Sequence, residues 1–117
     1  MDALQRDSFV LRDTTGFVFD FTGKLNVGGC AVFLKNDGET TSVVTVEDSV
    51  DNSVYAAKTF STPTAAGVAS LTMGAYAFGL ISFATAKRYV RIKLSNTNGA
   101  GIYCSLIRYN TGRDSIV

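Results

Sequence analysis

The sequence contains no histidine and no tryptophan, one proline, two cysteines and two glutamates, Glu39 and Glu47. Without histidine there is no Ser-His-Asp triad, no imidazole base and no imidazole metal ligand. Nucleophile candidates such as Ser49 and Cys104 therefore have no imidazole partner. Cys30 and Cys104 make neither a CxxC pair nor a disulfide framework. Each lies in an apolar alternating run, where cysteine behaves as a small hydrophobe, so both are expected as buried thiols; a bridge between them would require adjoining strands. No apolar run reaches the ~18 residues of a membrane helix. The best stretch, residues 75–85, is cut by Gly79 and Ser82. The first seven residues carry no apolar h-region of a secretory signal, and no Asn-x-Ser/Thr sequon occurs.

The acid–base chemistry that remains is carboxylate chemistry. Glu47, Asp48 and Asp51 cluster in a short polar stretch. A glycosidase needs two carboxylates facing each other across a cleft, and the spacing here does not match an EF-hand calcium loop. We read the cluster as a solvated acidic turn. The expectation is a protein that is not an enzyme and uses no cofactor or metal.

What the chain does have is period two. Thr, Val, Ala, Gly and Ser dominate, with eight Phe and five Tyr, a composition that favours pleated surfaces. Phe17, Phe19 and Phe21 alternate with Val18 and Asp20. Cys30, Val32 and Leu34 alternate with Ala31, Phe33 and Lys35. Residues 41–47 form a β-branched run and residues 54–60 a further strand. Tyr76, Phe78 and Leu80 alternate with Ala77, Gly79 and Ile81; Val90, Ile92 and Leu94 with Arg91 and Lys93; Ile102, Cys104 and Leu106 with Tyr103 and Ser105. Each pattern is that of a half-buried strand. Asn36-Asp37-Gly38 and residues 96–101 read as hairpin turns, residues 48–53 as an Asx-type connection, and Ser61-Thr62-Pro63-Thr64 as a loop. Residues 64–71 admit a short helical turn as the one alternative to strand. Seven to eight antiparallel strands at this spacing predict a jelly-roll-like β-sandwich, a single domain over residues 1–117. Residues 1–12 read as an N-terminal arm and residues 110–117 as a C-terminal tail.

Net charge is +1, but its distribution is uneven. Residues 1–60 hold five Lys/Arg against nine Asp/Glu, whereas residues 61–117 hold six against one. The basic cluster Lys87-Arg88-Tyr89-Val90-Arg91-Ile92-Lys93 puts Lys87, Tyr89, Arg91 and Lys93 on one strand face and Val90 and Ile92 on the other. A single-strand nucleic-acid platform needs such a face on several strands, so the expected partner is protein. Electrostatics would then set register and aromatic side chains would anchor the contact.

Two segments carry a resemblance. Residues 46–55, running to Thr59-Phe60-Ser61-Thr62, and residues 82–95, with Lys87-Arg88-Tyr89-Val90-Arg91-Ile92, resemble the strand–turn–strand and the late Arg-Tyr strand of small capsid cement (decoration) proteins of tailed bacteriophages. The resemblance covers roughly residues 29–107. It implies a jelly-roll sandwich made in the host cytoplasm that sits on the virion surface, works as a dimer or trimer and bridges major capsid protein subunits. It carries no residue-level binding motif. Three contact sets are expected on that basis: an arm with Leu4, Arg6, Phe9 and Arg12; the basic face with Lys87, Tyr89, Arg91 and Lys93; and the acidic turn with Glu47, Asp48 and Asp51. The alternative is a carbohydrate-binding jelly-roll module, or another virion part such as a tail or adaptor protein.

Overall fold

In the computed structural model the described residues are 3–21 and 29–109, and the expected tail, residues 110–117, lies outside them. Among the described residues eleven strands follow one another: β1 (Ala3–Leu11), β2 (Phe17–Asp20), β3 (Gly29–Asn36), β4 (Ser42–Ser49), β5 (Ala56–Lys58), β6 (Phe60–Thr62), β7 (Ala65–Val68), β8 (Leu71–Met73), β9 (Phe78–Ala84), β10 (Tyr89–Leu94) and β11 (Ile102–Tyr109). They form two antiparallel sheets, ordered β1-β11-β3-β9-β6-β7 and β2-β10-β4-β5, with β8 also paired to β4. From β1 to β4 and again from β9 to β11 the chain changes sheet at every step, and its first strand lies beside its last. That is jelly-roll topology, a sandwich of two interlocked Greek keys.

Eight strand positions make the jelly roll, and the extra strands all fall between residues 56 and 73. There the strand expected over residues 54–60 holds β5 and only the first residue of β6, while β5 and β8 pair with opposite ends of β4. Between them β6 and β7 cross over to cover the edge of β9. Pro63 sits in the β6–β7 turn, where its missing N–H costs no ladder bond. Residues 64–71 therefore form β7 and its surroundings, not a helical turn: Gly67 takes φ +66°, a conformation that breaks a helix.

The two turns expected to close hairpins instead carry the chain from one sheet to the other. Their asparagines explain the difference. Asn36 and Asn98 are fully buried at one end of the sandwich. The Asn36 amide donates to the carbonyls of Thr40 and Gly74, both at 2.8 Å. The Asn98 amide donates to Asn36 Oδ1 at 3.2 Å and Ser42 Oγ at 3.1 Å, while its own Oδ1 accepts from the Gly101 N–H at 3.0 Å. Buried amides that are satisfied in this way fix the crossings of two separate sheets, a task a two-residue hairpin does not pose. Gly101 completes the arrangement at φ +90°, and a Cβ there would meet Val10 Cγ1 at 2.5 Å.

The core lies between the sheets. Val32, Leu34, Ile81, Ile102 and Leu106 face Val44, Val46, Val90, Ile92 and Leu94, all buried. The side between β1 and β2 is closed by rings: Phe9 stacks on Phe17 at 4.5 Å and meets Phe19 edge-on at 5.1 Å, and Phe19 continues to Phe21 at 6.0 Å. Residues 3–11 are thus a strand paired along its length with β11, not an arm. Both cysteines are buried and free; Cys30 opposes Arg108, whose guanidinium lies 4.7 Å from the Phe21 ring centre.

Candidate protein-contact surface

The two sheets turn different outer faces to solvent. On β10, Tyr89, Arg91 and Lys93 point outward while Val90, Ile92 and Leu94 are buried, as strand alternation requires. The antiparallel register places Arg91 directly opposite Glu47 on β4. Glu47 Oε1 accepts from Arg91 and lies 3.4 Å from Lys93 Nζ. The Arg91 guanidinium also covers the Tyr55 ring at 4.1 Å. Next to Glu47, Asp48 turns inward and is 7% exposed. It pairs with Lys87 Nζ at 3.1 Å and accepts from the Thr85 hydroxyl at 3.1 Å, with Lys58 Nζ at 3.9 Å. Arg88 holds Asp20 with two bonds, at 2.8 and 3.0 Å.

These contacts correct the placement of two of the expected contact sets. Glu47 and Asp48 are not in a turn but on β4, and the basic face and the acidic pair are each other's partners. Part of the uneven distribution of charge along the chain has the same origin, since Asp20 on β2 and Glu47 and Asp48 on β4 meet bases that lie on or just before β10.

The N-terminal set is corrected as well. Phe9 is buried among the phenylalanines, whereas Arg6 and Arg12 are exposed. Leu4 falls within β1, but its side chain lies outside the described residues.

Asp51 alone of the acidic set stands on a loop, and that loop is tightly built. Asp51 Oδ1 accepts from the Ser49 hydroxyl at 2.9 Å and from the N–H groups of Ser53 and Val54 at 2.9 and 3.1 Å. Ser49 Oγ accepts in turn from the N–H of Asn52, which is held at φ +60°. These bonds, those of Ser53 and Val54 foremost, hold the Asp51 carboxyl below its ordinary value of 3.8. The loop carries Val50 at 70% and Val54 at 75% exposure on either side of it.

The outer face of the other sheet is apolar. Reading across register, Val10, Tyr103, Lys35 and Phe78 form one row over β1, β11, β3 and β9, and Ser8, Ser105, Phe33 and Leu80 form the next. Phe33, Tyr103 and Phe78 are exposed, Phe78 to 80%, and Tyr76 joins them from the turn before β9. Phe33, Tyr103 and Phe78 border an open groove of about 690 Å³. Lys35 Nζ lies 4.9 Å from the Phe78 ring and 5.7 Å from the Tyr76 ring, a cation held over aromatic faces. At roughly 150–250 Å² of buriable area per aromatic residue, four half-exposed rings amount to several hundred Å² of apolar surface, the scale at which a monomer's patch marks a contact site.

Sequence reasoning missed this face because both parities of the strands are apolar. On β9 the inward position is Gly79, which gives up its side chain so that Met73 can pack there; a Cβ would meet Met73 Sδ at 2.8 Å. The larger Phe78 and Leu80 then look like the core side although they are the outer one. The available signal was Lys35, a charge on the same parity as Phe33, marking that parity as the solvent side.

Among the described residues no group of three His, Cys, Asp or Glu side chains could hold a metal ion, and no helix is long and apolar enough to cross a membrane. No protein-family model matches the chain, and comparison with characterised proteins and with solved structures gives no match.

Proposed function

We propose that the chain is a structural protein of the capsid cement type, a sandwich that coats an assembled phage capsid and holds neighbouring major capsid protein subunits together. The observation that supports it is the contiguous aromatic outer face, an anchor set of the kind that carries protein–protein contacts. The resemblance over residues 29–107 supplies the partner. The mechanism is linkage: a ligand that binds only the closed lattice stabilises that lattice, and many copies with linked sites multiply weak contacts. Arg6 and Arg12 flank the face along β1 and join it as contact residues.

The test is reconstitution. Purified protein added to capsids that lack it should bind and raise their melting temperature. Absence of binding, or binding without a rise in melting temperature, would defeat the reading. One observation favours sugar as a second ligand class: Phe33 and Tyr103 line the groove together with Ser8 and Ser105. Clear affinity for a carbohydrate on a glycan array would move the function there.

A further inference from the structure

The aromatic groove and the 50–54 loop are complementary surfaces of one chain. The groove is apolar with a cation at its centre, Lys35, which has no ion pair among the described residues. The loop is a knob with an anion on it: two exposed valines, Val50 and Val54, with Asp51 and the exposed Asn52 and Ser53 between them. Three bonds to Asp51 Oδ1 fix the knob's shape, so little ordering entropy is lost when it docks. The same bonds favour the ionised carboxylate.

One molecule cannot join its own two surfaces. Lys35 lies at the end of β3 that leads into the 37–41 crossing, on the outer face of the first sheet. The knob follows the opposite end of β4, in the second sheet. They stand at opposite ends of the sandwich and on opposite sides of the core. A contact between them therefore joins two copies head to tail, a heterologous interface that closes into a ring when its rotation allows.

We propose that the knob of one copy, Val50-Asp51-Val54, docks in the groove of the next, with Asp51 paired to Lys35 and the valines against Phe78, Phe33 and Tyr103. This rests on reading the aromatic face as a protein-contact surface and names a second copy of the chain as its occupant.

A heterologous contact has a signature that a symmetric one lacks: two variants, each broken on one side, repair each other. Phe78→Glu disables the groove and Val50→Glu with Val54→Glu disables the knob, at positions exposed enough to leave the fold intact. Circular dichroism and melting of each variant check that it does. By light scattering and sedimentation the parent should associate with rising concentration. Each variant should associate at least ~10-fold more weakly, the effect of ~1.4 kcal/mol at a contact centre. Their mixture should form a heterodimer and nothing larger, because one live knob meets one live groove. A parent that stays monomeric at millimolar concentration, variants that associate like the parent, or a mixture that does not pair would overturn the contact. A monomer that still binds and stabilises capsids would overturn it while leaving the cement reading in place. An oligomer that ignores capsids would do the reverse.

Discussion

At the scale of single residues, parity was legible where one side of a strand is polar and illegible where both are apolar. Arg91 and Lys93 declared the outer side of β10 in the sequence itself. Phe78 and Gly79 concealed theirs, because the inward space belongs to Met73 from another strand. Buried thiols were legible for the same reason, since Cys30 and Cys104 share the parity of their apolar neighbours. Burial pushes both thiols from the ordinary 9.0 up to about 12. The sign of the effect follows. A raised native value means that the unfolded chain ionises first, so this contribution to stability is complete below pH 9.0 and is lost as pH climbs toward about 12. Denaturant midpoints measured across that window should fall. Replacing both cysteines by alanine should flatten the fall, and a profile with the same slope would assign it to other groups.

At the scale of elements, strand existence was legible and strand partnership was not. Periodicity reports that a segment is pleated and half buried, but not which sheet it joins. Asn36-Asp37-Gly38 has hairpin chemistry, yet its asparagine is turned inward to hold a crossing between sheets, which depends on Asn98 more than sixty residues away. The break after β5 was equally out of reach, because only the edge of β9 explains why the chain leaves β4 and returns to it as β8. β1 is the clearest case. Charged neighbours and the consecutive apolar residues Phe9, Val10 and Leu11 blur its alternation, so it reads as an arm. In the fold it is locked by Phe9 between Phe17 and Phe19. Phe9→Ala should therefore cost about 3–5 kcal/mol, as for a large aromatic removed from a core. Urea unfolding checks this through a lowered midpoint at unchanged slope. A loss below about 1 kcal/mol, the range of ordinary surface changes, would mean that residues 3–11 are not docked as described.

At the scale of the whole molecule, part of the uneven charge along the sequence is an internal matter. Arg91 and Lys93 meet Glu47, Lys87 meets Asp48, and Arg88 meets Asp20. What the molecule turns outward is a polar, self-neutralised sheet on one side and an aromatic sheet on the other. A net charge of +1 suits a protein that works in many copies side by side, where strong self-repulsion would oppose packing. The central claim is that the aromatic face is covered when the protein is at work. Hydroxyl-radical footprinting tests it most directly, comparing dilute protein with protein bound to capsids. Oxidation of Phe33, Phe78 and Tyr103 should drop on the capsid, while that of Val18, on the other sheet's outer face, stays the same. Equal oxidation of the three rings in both states would contradict the account.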